Sequence, residues 1–341
     1  MGEFCGLDFW ADETDRRMRA RLGNFVPERV FDAHLHIYDC SLMPNAGQEG
    51  SAFYRAGRVF GGREVLALAG TVLGNRVRLN ANFVLMPDAA MADLSNGLRD
   101  AATQFLAKEL AIFPECSGEV VVVPQDTAET IEAQLVHPRI RGLKCYHTLA
   151  QGRRHTMDAP VWEYLPEGAW EAAERNRLAI TLHLVKDEAL SDPDNASYLL
   201  EKCRQYPHAS LILAHCGRGF AAWTVMDSVA AFREIPNVWF DLAAVCEPAP
   251  IFTVIQVMGA ERVLWGSDAP VSGLRGRCVS VGREFVWLDQ SACPGIQTAL
   301  VGTEALSAFY DAANMLGLTE GEIKNIFYGN ARRLFFLDKD E

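Results

Sequence analysis

The sequence predicts an α/β protein, a (β/α)8 TIM barrel formed as a single domain over residues 1–341. Short runs that are apolar on both faces alternate with helical patterns, which is typical of parallel strands covered by helices. Eight such runs are present, and several end in metal-binding residue types at intervals of roughly 30 residues, about one βα unit each. A chain of 341 residues, 49% apolar and 22% charged, is large enough to bury the core of one such barrel.

The predicted elements follow the order of a barrel. The eight strands are predicted at 30–31, 79–86, 119–123, 142–146, 178–184, 210–214, 238–243 and 262–265. Helical patterns between the later strands cover 169–176, 196–206, 221–233 and 249–258.

Five further segments fall outside the repeating units. They are an N-terminal helical extension at 12–22, an insert after strand 1 at about 40–78, a loop rich in glycine and arginine at 271–296, and C-terminal helices at 303–316 and 319–334. Because the loops that follow the strands form the active face of a barrel, the insert and the eighth loop are candidate lids.

The composition indicates which kinds of binding partner and which cellular compartment to expect. A net charge of −12 argues against nucleic acid or an anionic membrane as the main partner, because both reward clustered Lys and Arg; a small-molecule substrate is expected instead. The nine cysteines are scattered and contain no C-x-x-C pair, as in reduced core thiols. The N-terminus has no basic-then-apolar signal pattern, so a cytoplasmic protein is predicted.

Candidate metal ligands stand at strand ends. His34 and His36 are two residues apart, so in a strand both imidazoles point to the same face. His183 and Asp268 each close a later apolar run, where barrel enzymes gather catalytic groups from different parts of the chain. Three imidazoles and a carboxylate suit Zn²⁺ best, and they would also accept Mn²⁺, Fe²⁺ or Co²⁺.

Four motifs carry a family resemblance. They are FDAHLH at 31–36, AHCG at 214–217, LWGSDAP at 264–270 and IFYGNARRLF at 326–335. With them the chain resembles the amidohydrolase superfamily, in particular its amidohydrolase-2 branch of metal-dependent barrel hydrolases and decarboxylases. The resemblance runs from about residue 30 to the C-terminus; it is specific in the motifs and weak in the inserts.

The resemblance implies a division of roles at the site. His34, His36, His183 and Asp268 would ligate the metal, and His215 would stand beside it. Asp268 is the first choice for the residue that accepts the proton of the attacking water, and His215 would orient that water or polarise the carbonyl oxygen of the substrate.

Lys144 is the ambiguous residue of the set. Some amidohydrolases carry a fourth-strand lysine that is carboxylated and bridges two metals, and here Lys144 and His215 would complete that second site. An unmodified Lys144 would instead bind a substrate carboxylate, and this one-metal reading is favoured. Tyr146 departs from the family pattern, which usually has His at that position, and it is a candidate for substrate binding. His147, one residue on, is either a further substrate contact or an ordinary loop residue.

Two other charged residues have open interpretations. Arg218 directly follows the AHCG motif and would either bind an anionic substrate or cap the next helix. Asp241 lies within a buried apolar run, so it is expected to meet an Arg or Lys in the barrel and to be structural.

Three functional hypotheses follow. The first is a metal-dependent hydrolase that cleaves a C–O or C–N bond, in a lactone or an amide, of a small carboxylated substrate through metal-activated water. The second is a metal-dependent non-oxidative decarboxylase of an unsaturated or aromatic acid. The third is a barrel that has lost catalysis, but its expected mark is a missing metal ligand, and none is missing. A homodimer is compatible with the resemblance.

Overall fold

The computed structural model of the protein describes residues 11–74, 76–150, 155–289, 292 and 294–336. Its strands are β1 (Arg29–Asp39), β2 (Val59–Phe60), β3 (Arg78–Leu85), β4 (Ser117–Val121), β5 (Ile140–Cys145), β6 (Ala179–Leu182), β7 (Ser210–Leu213), β8 (Val238–Asp241), β9 (Val263–Leu264), β10 (Arg277–Val281) and β11 (Glu284–Leu288).

Helices alternate with these strands through the chain. They are α1 (Glu13–Leu22), α2 (Ala52–Ala56), α3 (Gly62–Leu73), α4 (Leu98–Ile112), α5 (Ala128–Glu132), α6 (Glu167–Asn176), α7 (Pro193–Gln205), α8 (Ala214–Arg218), α9 (Trp223–Met226), α10 (Pro248–Met258), α11 (Val301–Leu316), α12 (Glu320–Lys324) and α13 (Asn330–Phe336), with a π-helix, Asn325–Gly329, between the last two. In the described part of the chain, no helix is long and apolar enough to cross a membrane.

The architecture is mixed α/β around one main sheet. Within the described residues this sheet has nine strands in the order β2-β1-β3-β4-β5-β6-β7-β8-β9, and every neighbouring pair is parallel except β1 with β2. All eight predicted strands are therefore present. They are buried along nearly their whole length, as expected for strands covered by helices.

Backbone hydrogen bonds join the first parallel strand to the segment that follows the last one. Ala33 N donates to the carbonyl of Trp265 at 2.9 Å, and Asp268 N donates to the carbonyl of His34 at 2.7 Å. The two ends of the parallel sheet therefore meet, and this seam lies directly beside the candidate ligands His34 and Asp268.

The insert after β1 folds back onto that strand. Tyr38 in β1 pairs with Phe60 in β2, and the two rings stack with centroids 5.4 Å apart. Phe53 in α2 meets Tyr38 edge to face, also at 5.4 Å. The aromatic residues of the insert thus pack it against the barrel.

Three segments differ from the sequence prediction. The predicted loop 271–296 contains a β-hairpin of β10 and β11. The predicted helix 221–233 stops at α9, where the Ser228 hydroxyl donates to the Thr224 carbonyl at 2.5 Å and competes with the helical ladder. The predicted helix 319–334 is divided by the π-helix.

Asn330, the first residue of α13, explains part of the closing motif. Its buried side-chain amide donates to the carbonyls of Ala260 at 2.7 Å and Val263 at 2.8 Å. The asparagine therefore ties the last helix to the start of β9, and so keeps the C-terminal segment attached to the sheet.

Candidate metal centre

The residues at the carboxyl end of β1 and after β9 place three metal-binding atoms together. His34 Nε2 and His36 Nε2 are 3.3 Å apart, and Asp268 Oδ1 lies 3.7 Å from the first and 3.4 Å from the second. One ligand atom from each of these buried residues falls within 4.8 Å of the other two. The β1 geometry that points both imidazoles to one face is the one expected from their spacing.

Asp241, at the end of β8, fixes the orientation of His34. Its Oδ2 accepts a hydrogen bond from His34 Nδ1 at 2.9 Å, which leaves the lone pair of neutral His34 on Nε2, toward His36 and Asp268. A carboxylate that orients a histidine in this way is the usual partner of a metal-ligating imidazole. The direct hydrogen-bond partner of this buried carboxylate is therefore the His34 imidazole, whereas Lys144, a basic residue of the kind expected near Asp241, acts on it through charge.

His215 and His183 form a second pair beside these residues. His215 Nδ1 donates to the Ala243 carbonyl at 2.8 Å, so neutral His215 carries its lone pair on Nε2. That atom lies 3.1 Å from His183 Nδ1, which donates to it and leaves Nε2 of His183 as an acceptor. The rings of His34 and His215 are 5.2 Å apart, so the four histidines form one continuous cluster.

Burial controls the charge of this cluster. Burial lowers the pKa of His36 to about 3, and it holds the pKa of His183 well below its ordinary value. Burial alone would raise the pKa of Asp268. The pKa is nevertheless held below its ordinary value by electrostatic interaction with His215 and His34 and by a hydrogen bond with His36. A divalent cation binds to neutral imidazoles and to ionised carboxylates, and these are the protonation states that the shifted pKa values favour here.

The donor set fits a divalent metal. The Nε2 atoms of His34 and His36 lie 3.3 Å apart, a carboxylate completes the group, and His36 Nδ1 is buried without a hydrogen-bond partner among the described residues. Nitrogen and carboxylate donors in this mixture suit zinc and its first-row neighbours.

Lys144 is the residue before the end of β5, and its side chain is fully buried. Its Nζ lies 3.0 Å from His34 Nε2. Burial lowers the pKa of Lys144, while the negative charges of Glu119, Asp268 and Asp241 partly oppose this decrease. Lys144 therefore lies against the candidate ligand His34 and within the electrostatic reach of three acidic side chains.

A polar network missed by the sequence prediction lies beneath Lys144. Glu119 Oε1 accepts from Asn82 Nδ2 and from Thr181 Oγ1, both at 2.8 Å, while its Oε2 has no hydrogen-bond partner among the described residues. Burial raises the pKa of Glu119 to about 7. The signal was a lone Glu in an apolar strand, since a carboxylate there needs a partner within the barrel.

Asp32 supports the other side of the site. Its Oδ1 accepts from the backbone N–H groups of His34 at 3.2 Å and Ser267 at 2.9 Å, so one carboxylate fixes both ligand-bearing segments. Burial raises the pKa of Asp32 to about 7. Its place in the FDAHLH motif was visible in the sequence, but its role was not.

The segment that carries His215 has an unusual backbone. His215, Cys216, Gly217 and Arg218 in α8 all have φ between 54° and 69°, in the left-handed region. Each non-glycine residue there costs roughly 1–2 kcal/mol. The turn is held by a 2.8 Å hydrogen bond from His215 N to Asp241 Oδ1 and a 2.7 Å bond from Gly219 N to the His215 carbonyl. Strain retained in this way is typical of functional sites.

Tyr146 and His147 follow β5 and face the same cluster. The Tyr146 ring lies 4.8 Å from that of His183 and 4.6 Å from that of His147. His147 Nδ1 is 2.9 Å from the Thr156 hydroxyl, and burial lowers its pKa to about 4. Burial raises the pKa of Tyr146 to about 12, so its phenol stays protonated.

Arg218 ends the left-handed turn close to these residues. It donates to the Lys186 carbonyl, and its guanidinium lies 5.3 Å from the centroid of the Phe285 ring. Two arginines of the eighth loop form ion pairs: Arg275 pairs with Asp15, and Arg277 lies 3.4 Å from Glu304.

The fold and this donor cluster define a metal-binding α/β protein with its site at the carboxyl ends of the strands. The model of the family described as Amidohydrolase matches residues 31–337. The chain therefore belongs to this amidohydrolase family, and with it to the amidohydrolase superfamily of metal-dependent enzymes.

One curated relative matches part of the chain. L-fucono-1,5-lactonase from Burkholderia ambifaria is 30% identical over 130 residues, which are 33% of this chain and 44% of that protein, so the match spans less than half of the relative.

Two solved structures share the fold. A 5-carboxyvanillate decarboxylase from Novosphingobium aromaticivorans, complexed with manganese and 4-hydroxy-3-methoxy-5-nitrobenzoic acid, has a TM-score of 0.60 at 14% identity, covering 92% of this chain and 97% of that one. An amidohydrolase from Burkholderia multivorans with bound zinc has a TM-score of 0.57 at 15% identity, covering 90% and 99%.

Proposed function

We propose that this protein is a metal-dependent hydrolase that cleaves a C–O or C–N bond, in a lactone or an amide, of a small carboxylated substrate. The observation that carries the proposal is the convergence of His34, His36 and Asp268 within 4.8 Å. The hydrogen bond from His34 to Asp241 presents the ring for metal binding.

The proposed metal site uses four residues of this chain. His34, His36, His183 and Asp268 would hold one divalent ion, with Zn²⁺ the first choice and Mn²⁺, Fe²⁺ or Co²⁺ as alternatives. The ion, when bound, supplies Lewis acidity and lowers the pKa of water toward neutrality.

Protein groups would manage the proton and the substrate. Asp268 accepts a proton from the attacking water and returns it to the leaving group. His215 is held by the Ala243 carbonyl and the Asp241 carboxylate, and its Nε2 lone pair would accept a hydrogen bond from the attacking water and so orient it. Tyr146 and Arg218 would bind the remainder of the substrate, with Arg218 facing a carboxylate.

For Lys144 we propose the unmodified amine and a single metal. Carboxylation would convert a cation into an anion in a fully buried position already surrounded by Glu119, Asp241 and Asp268. The free ammonium offsets those charges and provides a second cationic contact for the substrate. A second metal held by a Lys144 carbamate and His215 is the alternative.

The test combines metal analysis with turnover. The purified protein should contain about one divalent ion per chain, and Asp268→Asn should abolish hydrolysis across a panel of lactones and amides. If a protein without metal turned over these substrates and Asp268→Asn were as active as the wild type, the proposal would be wrong.

Non-oxidative decarboxylation of an unsaturated or aromatic acid is the second candidate. It is supported by the likeness in fold to the 5-carboxyvanillate decarboxylase. Reaction in H₂¹⁸O separates the two: a hydrolase incorporates ¹⁸O into its product, whereas a decarboxylase releases CO₂ and places a solvent proton on carbon.

Further properties complete the proposal. Residues 1–341 would form a single domain, a (β/α)8 barrel with an N-terminal helical extension, an insert after β1 and C-terminal helices. The excess of acidic residues, with a net charge of −12, supports a small-molecule substrate over nucleic acid. A cytoplasmic location and a homodimer remain predictions.

A further inference from the structure

The hairpin of β10 and β11 has two different faces. On one face, Cys278 is paired with Trp287 and Ser280 with Phe285; on the other, Val279 is paired with Val286. Because side chains alternate along a strand, the two sets point in opposite directions. The first face is directed at the barrel, since Cys278 is buried.

Hydrogen bonds fix this hairpin in place. Ser280 Oγ donates to Glu247 Oε2 at 2.6 Å, and the Ser280 N–H donates to the same carboxylate oxygen at 3.0 Å. Ala222 N donates to the Ser280 hydroxyl at 3.0 Å. The hairpin is thereby attached both to the loop after β8 and to the segment that follows the left-handed turn.

Aromatic rings connect the hairpin to the metal centre. The Phe220 ring stacks on the His215 ring at a centroid distance of 5.1 Å. It also meets Phe285 at 5.4 Å and Trp287 at 5.5 Å. We call Phe220, Phe285 and Trp287 the aromatic wall. Trp287 keeps 39% of its surface exposed although it is on the barrel side, so its ring remains open to a ligand.

The aromatic wall also contacts the cation expected to bind a carboxylate. The Arg218 guanidinium lies over the Phe285 ring at 5.3 Å. The three rings, the Arg218 cation and the His215 ring are therefore joined by one continuous series of contacts. Offset-stacked or edge-to-face ring pairs add attraction beyond the burial of area, and a saturated chain cannot match it.

We propose that the aromatic wall is the specificity element of this site and accepts a flat, unsaturated ring that carries a carboxylate. This inference rests on the proposed function, since it names the substrate class of the same site. It assigns to Phe220, Phe285 and Trp287 the recognition of the ring, while the metal ligands and Arg218 engage the reactive and anionic groups.

Calorimetric titration of the protein as purified, with its metal, tests the wall without requiring turnover. The probes are benzoate and propionate, which share the carboxylate but differ in the ring. The wild type should bind benzoate more tightly than propionate. Trp287→Ala should lower the affinity for benzoate roughly 3- to 10-fold, the range expected for one lost ring pair, and should leave the affinity for propionate unchanged.

Val286→Ala is the matched control, because it shortens the neighbouring side chain on the opposite face of the same hairpin. It should leave both affinities unchanged, and Trp287→Phe should retain most of the preference for benzoate. If Trp287→Ala fails to fold, Phe285→Leu carries the test. Equal binding of both probes to the wild type, or an unchanged preference in the wall variants, would overturn the inference.

Failure of the inference and of the proposed function can be told apart. If no lactone or amide is hydrolysed but the wall variants still have reduced affinity for benzoate, the proposed hydrolase function is wrong and the inference about the aromatic wall is supported. If Asp268→Asn abolishes hydrolysis but Trp287→Ala binds benzoate as tightly as the wild type does, the proposed hydrolase function is supported and the inference about the aromatic wall is wrong.

Discussion

His34 and Asp241 form a buried hydrogen bond, with Nδ1 and Oδ2 2.9 Å apart, that joins the first parallel strand to the eighth strand of the sheet. The same carboxylate accepts the backbone N–H of His215 through its other oxygen at 2.8 Å. One aspartate thus orients a candidate ligand and the histidine beside it.

Replacing Asp241 should weaken metal binding without removing a ligand. Asp241→Asn keeps the size of the side chain but loses the charge that fixes the His34 tautomer, so metal affinity should fall roughly 10- to 100-fold. Competition with a chromogenic chelator measures this affinity. Asp88→Asn is the control, since Asp88 is also buried but bonds to Asn45 and Ala46. Equal affinities in the two variants would contradict the role of Asp241.

The left-handed turn should be sensitive to a single methyl group. Gly217→Ala places a side chain at a φ of +69°, with its Cβ 3.1 Å from Leu190 Cδ2. We expect a loss of roughly 1 kcal/mol in the free energy of unfolding and a clear drop in kcat, because the turn positions His215. Gly317→Ala, at a φ of +66° with nothing within 4 Å of the added atom, should cost similar stability and leave kcat unchanged. Denaturant titrations and steady-state kinetics separate the two effects.

Glu119 should make the stability of the metal-free protein fall as pH rises. Burial raises the pKa of Glu119 from an ordinary value of 4.5 to about 7 in the folded state. Between these two pH values the Glu119 carboxyl is therefore protonated in the folded protein and ionised in the unfolded chain. The free energy of unfolding therefore decreases with rising pH across this window. Asp32, whose pKa is raised to about 7, acts in the same direction.

Glu119→Gln should reduce that slope without abolishing it, because the contribution of Asp32 remains. Urea unfolding in the presence of a chelator at pH 5 and pH 7.5 gives the measurement. An equal pH dependence in the wild type and the variant would show that Glu119 does not titrate in this window.

Tyr146 should act in substrate binding. Tyr146→Phe removes a phenol that stays protonated at neutral pH but keeps the ring packed against His183. Loss of one hydrogen bond should raise KM roughly 2- to 12-fold with little change in kcat or metal content. Tyr206→Phe is the control, since that hydroxyl bonds to Glu167. A drop in kcat with unchanged KM would instead place Tyr146 in the chemical step.

The sequence predicted the parts of this protein that follow from local periodicity. His34 and His36 were assigned to one face because strand geometry dictates it, and the structure places their Nε2 atoms 3.3 Å apart. All eight parallel strands were predicted from runs that are apolar on both faces.

The relationships that were missed depend on which strand ends lie opposite each other. The sequence predicts an Arg or Lys near Asp241, and Lys144 is within its electrostatic reach, but the direct hydrogen-bond partner, His34, lies 207 residues away in the sequence. The hairpin of β10 and β11 was predicted as a loop because Gly276 and Gly282 dominate the local signal, whereas its pairing with the barrel depends on Glu247 and Phe220. Tertiary contacts of this kind are not encoded in spacing.

The seam between the two ends of the parallel sheet bears on how the protein is made. His34 and His36 leave the ribosome long before Asp268, and Trp265 in turn donates its backbone N–H to the carbonyl of Ile326. A nascent chain therefore lacks the Asp268 donor until the segment that follows β9 has been synthesised. We expect a bound ion to hold β1 and this segment together and so to stabilise the closure of the sheet.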